Sequence, residues 1–571
     1  MASENGPAVL SRPAYLYAGL IGAALIGLVL ALLPWLGAER QPAIAPKRSI
    51  PNTDVSPYGA NFFLPREVED WKRERTLSMA AEAGIRWAKI QFSWAEIERD
   101  GKARTPEDLD WEKFDHIVDL CERYGIRVIA RLDRPPDWSR ADNTVPGRPP
   151  DNLEDYGDFV HAFADHYRGR VDYIQIWNEP NLWSEWGNRP VDPQGYVELL
   201  RIAYRRAKEA NPNVYILSAP LAITLGEPHP EPGKWRAMND IQFLEEMYQA
   251  GAKPYFDILS VNAFGMDLPP EDPPGRDKLN FSRVLLQRQV MERYGDANKA
   301  VWFNEFGWNA PPDDMPDERA IYGRVTEEQQ AEYVLRAIEM ARRSWPWAGV
   351  FSFWYFRQVG DISPDAADYY FRMVDVDFTP RRVYYTVKDA ANALATAGPG
   401  YHEETSPGVE WGRGWQNAIF QDASGGAVAV AEEPGATLTL KFKGDGVTLV
   451  ALKDSRSGIL HATLDGKRVP GLPVDSEGNS YLDLYSPEVQ WQGEIQVIGG
   501  LSDGQHLLRL TTSGQSNPES RGQRCAVDAF IVAAPAPPGF PFAQVIAFSA
   551  VAAFGGWSLA RGVRPAAPTS A

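Results

Sequence analysis

Cysteine is almost missing from this chain. It occurs twice in 571 residues, as Cys121 and Cys525. The two sit far apart, in stretches of different texture, so a disulfide framework, a zinc site and a redox pair are all disfavoured. Positive charge is also short: 58 Lys and Arg face 76 Asp and Glu, a formal net charge of −18. That counts against a nucleic-acid partner, whose phosphates need a basic surface. It does not hinder a neutral ligand. No Gly-rich phosphate turn follows the first apolar run, which disfavours a nucleotide-binding open sheet.

Aromatic side chains are plentiful instead, with 19 Trp, 23 Tyr and 24 Phe. Indoles pack in cores, and they also stack on flat apolar faces while the ring N–H finds a partner. Two uncharged stretches stand out as well. Residues 15–36, "YLYAGLIGAALIGLVLALLPWL", are long enough to cross a bilayer. A cleaved signal peptide is the competing reading, but its apolar region is usually shorter. A weaker candidate, about 540–560, lies in "FPFAQVIAFSAVAAFGGWSLARGVR". If both span, Arg12 and the Arg561/Arg564 pair share a side. The positive-inside rule makes that side cytoplasmic and leaves the rest outside. Arg40, Lys47 and Arg48 weigh against that orientation.

Between these stretches the chain has two textures. Apolar runs near 58, 87, 126, 171, 214, 256, 300 and 349 alternate with segments of helical period, such as "DWKRERTLSMAAEAG", which stops at Gly84. Eight strands alternating with helices predict a TIM (β/α)8 barrel over 58–395, with a doubly wound sheet as runner-up. Residues 396–534 show period-two alternation and "DG" turns instead, which predicts an all-β jelly-roll sandwich. The expected layout is therefore a transmembrane helix and linker over 1–57, the barrel, the sandwich, and a Pro-rich linker with a C-terminal transmembrane helix over 535–571.

Barrel chemistry sits at the C-terminal ends of the strands. The fourth run ends in Asn178 and Glu179, and the seventh in Asn304 and Glu305, followed by Trp308. The eighth offers Trp354 and Arg357. The second offers Gln91 and Trp94, the third Arg131 and Asp133, and the sixth Asn262 and Phe264. Trp183 opens the loop after the fourth. A single Glu at a strand end is commonly a cap. Two of them, each preceded by Asn and followed by Trp, suit glycoside hydrolysis, with one acid held protonated and one ionised. Asn178, Asn262, Asn304, Trp94, Trp183, Trp308 and Trp354 are the expected sugar contacts. Neither metal nor organic cofactor is required.

"WNEPN" at 177–181 and "WFNEFGW" at 302–308 resemble the active-site signatures of the clan A retaining glycoside hydrolases, which include the β-xylosidase-like and cellulase-like families. "WAKIQFSWAEIE" and "RPPDW" add to the likeness, which covers about residues 58–395. The resemblance implies Glu179 as acid/base, Glu305 as nucleophile, Asn178 as ligand of the sugar 2-hydroxyl and Trp354 as sugar platform. It also implies carboxyl groups about 5–5.5 Å apart. Two positions depart from the pattern. Many members carry His-x-Tyr where this chain has Asn262-Ala263-Phe264, and Phe264 has no hydroxyl to give the nucleophile. Arg is common where Lys89 stands.

The second region resembles carbohydrate-binding jelly rolls, with Trp411, Trp415, Tyr481, Tyr485 and Trp491 as a candidate stacking face or as core. Asp465, Asp475 and Asp528 fit hairpin turns as well as calcium. The sequence thus predicts a membrane-anchored, extracytoplasmic glycosidase hydrolysing O-glycosyl bonds of a surface or extracellular glycan. A sugar-binding barrel without turnover and a transglycosylase are the alternatives.

Overall fold

In the computed structural model, residues 12–37, 44–145, 147–502, 504–534 and 540–562 are described. Glu39, Arg40, Arg564 and the Pro-rich stretch 535–539 lie outside them. Two compact units result: one comprises residues 45–533, the other the segments before and after it.

Eight parallel strands close into a barrel: β1 (Tyr58–Phe62), β2 (Trp87–Ser93), β3 (Arg127–Asp133), β4 (Tyr173–Ile176), β5 (Tyr215–Leu217), β6 (Ile258–Phe264), β7 (Ala300–Gly307) and β8 (Ala348–Phe353). Each forms at one of the eight apolar runs. Every barrel strand is almost wholly buried, because helices cover its outside and other strands fill its inside. Outward-facing Phe92 packs on Phe114 and Phe163 of the helices Glu112–Arg123 and Leu153–His166. Those helices begin and end where local chemistry directs. Asn152 accepts from the Glu154 N–H, and Thr326 and Gln329 form a reciprocal capping box. The helix Asp70–Glu82 stops just before Gly84, whose φ is +73°.

The N-terminal floor of the barrel is an aromatic plug. Trp87, Tyr173 and Trp302 have ring centroids 4.8–5.1 Å apart. Their polar tips are satisfied by the segment preceding β1. Trp87 Nε1 donates to Ser56 O, Trp302 Nε1 to Asn52 O, and Tyr173 Oη to Asn52 Oδ1.

Residues 400–533 form two antiparallel sheets packed face to face. One is ordered Gln416–Ile419, Ala427–Ala431, Cys525–Ala533, Gly446–Lys453, Gln490–Ile498. The other is ordered Val409–Trp411, Thr437–Lys443, Gln505–Ser516, Gly458–Leu464, Lys467–Arg468. Leu438, Leu440, Phe442, Leu449, Val527 and Phe530 fill the space between. The five aromatics expected to share a stacking face are divided. Trp411 lies under the Arg127 guanidinium at the barrel, Trp415 is buried, and Trp491 packs on Phe420. Asp475 caps a turn through the Glu477 and Asn479 N–H groups, Asp465 binds His506, and buried Asp528 accepts from the Ser424 N–H. Among the described residues no cluster of His, Cys, Asp and Glu is arranged to hold a metal. Cys121 and Cys525 are both free and buried.

Barrel and sandwich share one compact unit. Arg86 pairs with Glu410 at 2.7 Å, and Asn417 Nδ2 donates to Asn213 O. In the second unit, the helices Arg12–Gly37 and Phe542–Gly562 pack on each other, Gly27 facing Phe548 and Gly555 facing Ile21. Both are long and apolar enough to cross a membrane. Leu16, Ile26, Leu30, Phe542, Ile546 and Phe554 stay exposed on them.

Candidate active site

Two local irregularities aim the glutamates. Side chains alternate along a strand, so β7 with Trp302 inward would place Asn304 inward and Glu305 outward. The register against β6 shifts instead between Val261/Phe303 and Asn262/Glu305. This bulge puts Phe303 and Phe306 outward into the helix-facing core and turns Glu305 into the barrel. At the end of β4, Trp177 and Glu179 take φ of +72° and +38°. Left-handed backbone is rare for a bulky side chain and costs energy that the surroundings must hold. Here the Gln175 amide donates to Trp177 O, the Trp177 indole to Glu185 O, and the Glu179 N–H to Pro220 O.

The two carboxylates meet on one side chain. Asn262 Nδ2 donates to Glu179 Oε1 at 2.6 Å and to Glu305 Oε2 at 3.3 Å. Lys89 Nζ donates to the other oxygen of Glu305 at 3.0 Å, and both partners are more than nine-tenths buried. Beneath them Asn304 Nδ2 reaches Asn262 Oδ1 at 3.4 Å, and Asn61 Nδ2 binds the Asn304 and Phe353 carbonyls. Glu179 is pushed up to about 8, first by burial and then by the charges of Glu305 and Glu185. Burial also lowers the Lys89 ammonium, against the pull of Glu305.

Above the pair lies a cavity of about 410 Å³. Asn178, Glu179, Glu305, Phe264 and Trp354 line it, with Phe63, Gln91, Arg131, Glu185, Tyr322 and Asp368. Asn178 Oδ1 is buried with no hydrogen-bond partner. Gln91 and Arg131 are tied to Asp133.

Of the expected sugar contacts, Asn178 and Trp354 face the cavity. Asn262 and Asn304 lie behind the carboxylates, where they position them. Three indoles are elsewhere. Trp94 is fully buried, stacked on Phe159 with its Nε1 donating to Glu98. Trp308 is buried against Phe281 and donates to Leu268 O. Trp183 stacks on His229, with Arg236 on its ring, outside the cavity lining. Trp94 begins the helical turn after β2, and Trp308 follows the β7 bulge, so both rings swing outward into the core. Arg357 also turns away, ion-paired with buried Glu67 at 2.7 Å. Phe264 packs on Tyr322 and Phe371. Glu305, which gets no hydroxyl from position 264, takes its donors from Lys89 and Asn262.

Sequence reading did not single out Arg66, Arg134, Glu185, Tyr322 or Asp368. Arg66 and Arg134 follow the ends of β1 and β3 closely, which was the available signal. Glu185 sits in the loop after β4, two residues past Trp183, whereas Tyr322 and Asp368 come from the longer loops after β7 and β8.

The fold comes with these likenesses. A family 39 glycoside hydrolase from Bacteroides cellulosilyticus WH2 is 18% identical, with 82% of each chain covered and a TM-score of 0.44. A monomeric β-xylosidase from Caulobacter crescentus CB15 is 16% identical over 81% of this chain and 98% of its own, TM-score 0.44. In sequence, a 6-phospho-β-glucosidase from Clostridium longisporum is 24% identical over 236 residues, 37% of this chain. The chain spans about half the length of that curated relative, 48%. No family model matches.

Proposed function

We propose that this chain is a retaining glycoside hydrolase. The observation that carries the reading is the pair of carboxylates, Glu305 buried and Glu179 partly so, held by one amide at the mouth of the barrel; the raised pKa of Glu179, about 8, suits the acid of the pair. A single nitrogen touching both keeps their nearest oxygens within about 6 Å, compatible with the about 5–5.5 Å carboxyl spacing of double displacement.

Glu305 is the nucleophile. It is ion-paired with Lys89 and attacks the anomeric carbon as Glu179 gives its proton to the departing glycosidic oxygen. Glu179, now a carboxylate, takes a proton from water, which displaces Glu305 and returns the enzyme to its starting state. The unpartnered Asn178 Oδ1 is placed to accept a sugar hydroxyl, and Trp354 offers a face for the ring. The two helices with exposed apolar faces support anchorage in a membrane, and Arg561 at the end of the second supports an extracytoplasmic barrel.

The test is turnover of a panel of aryl glycosides and glycans by the full chain in detergent, with proton NMR of the first-formed anomer. Retention is expected. Inversion sinks the double displacement, and binding without turnover of any member sinks the hydrolase.

A further inference from the structure

The cavity wall carries four carboxylates, Glu179, Glu185, Glu305 and Asp368, yet not every cation on it is ion-paired. Four cationic side chains reach it: Arg66, Lys89, Arg131 and Arg134. Two are neutralised, Lys89 by Glu305 and Arg131 by Asp133. Arg66 and Arg134 are different. Among the described residues neither guanidinium has a carboxylate at ion-pairing distance or a side-chain hydrogen bond. Arg66, exposed at the rim, lies over the Phe63 ring at 4.8 Å. Arg134, half-buried, follows directly on β3 in left-handed backbone, φ +56°. Partial desolvation of its head group, then the charges of Arg134 and Arg131, hold the Arg66 pKa below its usual value.

Near Arg66 on the same surface, Arg73 pairs with Asp70 and Lys72 with Glu69. Burial raises the pKa values of Glu179, Glu185 and Asp368, and on Glu185 the charges of Arg131 and Arg134 act the other way without forming an ion pair. What remains is a pair of unspent guanidinium forks on the β1–β3 side of the mouth, beside the two glutamates. Planar forks of this kind match carboxylate, sulfate and phosphate oxygens, two N–H groups to two oxygens.

We infer that the cavity selects glycans bearing an anionic substituent, seated against Arg66 and Arg134 while the glycosidic bond lies over Glu179 and Glu305. This rests on the hydrolase reading of the same cavity. The test uses the full chain in detergent as Glu179→Gln, which slows turnover and leaves the Lys89–Glu305 pair intact. Calorimetry measures binding of uronic-acid, sulfated and phosphorylated oligosaccharides against neutral counterparts of the same linkage. At least one anionic class is expected to bind tenfold or more tightly than its neutral counterpart, and the preference should shrink between 50 and 500 mM salt. Which class wins identifies the substituent. Adding Arg66→Ala and Arg134→Ala should bring the two to parity, the larger loss falling on the anionic member. The Lys versions should restore only part of the preference. Equal binding of neutral and anionic members, no binding of any anionic member, or a preference that survives loss of both arginines in a variant with unchanged Tm would overturn the inference. Tight anionic binding with no hydrolysis by the unmodified chain would leave it standing and remove the hydrolase reading instead.

Discussion

Trp87 and Lys89 stand two residues apart on β2, and alternation points both into the barrel. Their surroundings are opposite. Trp87 joins Tyr173 and Trp302 in a floor whose few polar tips are all satisfied by the segment before β1. Lys89, one layer higher, is as deeply buried but pairs with Glu305 beneath an open cavity. The same holds along β7, where Trp302 is floor and Glu305 is mouth. The floor gains from burial and aromatic contact. The mouth spends stability: buried ionisable groups cost more to desolvate than most pairings return. A layer that is unfavourable for folding and precise in geometry is where function is expected.

Variants of the two layers should therefore fail in different ways. Largest of all, Glu305→Gln should remove nearly all turnover on the glycoside panel even in the folded fraction, with a lower Tm because Lys89 loses its buried counter-charge, and azide should not restore the retained anomer. Glu179→Gln should cost about 10²- to 10⁴-fold, with a smaller loss on substrates whose leaving group needs no proton. Activity that survives Glu305→Gln would refute the assignment. At the floor, Trp302→Ala should destabilise by about 3–5 kcal/mol, seen as a lower denaturation midpoint. Measured well below the midpoint, kcat of the folded fraction should stay within a few-fold. Floor variants that abolish kcat without unfolding would erase the distinction between layers.

The pH dependence sharpens the same contrast. Glu179 is raised from about 4.5 to about 8 in the fold. The folded state thus holds a proton that the unfolded chain releases, and stability falls as pH rises from about 4.5 to about 8. Glu179→Gln should remove that loss. Its Tm advantage over the unmodified chain should be larger at pH 8.5 than at pH 5, whereas Trp302→Ala should show a pH-independent deficit. The acid limb supplied by Glu179 should also disappear as pH passes about 8, lowering kcat/KM on substrates with poor leaving groups. An equal Tm difference at both pH values would mean that Glu179 is not buried in its acid form.

The smallest effect concerns the indoles. Trp354→Ala should raise KM about tenfold or less, the scale of one aromatic contact. Trp308→Phe should leave KM unchanged, because that ring faces the core. If the two responded alike, the placement of Trp354 on the cavity wall would have no consequence for substrate.

Much of this was legible in the chain itself. The eight apolar runs became the eight barrel strands, the alternating region became two antiparallel sheets, and the terminal apolar stretches became helices. Those features depend on short windows of periodicity, which a sequence states directly. Glu179 and Glu305 were readable as a pair, since strand ends of a barrel converge on one mouth whatever the loops do. The indoles were not readable. Trp94, Trp183 and Trp308 look like Trp354 when only distance from a strand end is counted, yet a helical turn, a loop hairpin and a bulge send them elsewhere.

What sequence alone determined, then, was the scaffold and the residue types at its open end. The tertiary structure decided the directions. A one-residue bulge rotates Glu305 inward, positive φ at Trp177 and Glu179 bends the chain at the other carboxylate, and Asn262 bridges the two from 83 residues beyond Glu179. Arg66 and Arg134, 68 positions apart in the numbering, become neighbours only because β1 and β3 flank β2 in a closed barrel. The physical reason is one of range. Periodicity is a local property of the chain, whereas a bulge, a shared amide and the repulsion of two guanidinium groups exist only once distant segments have met.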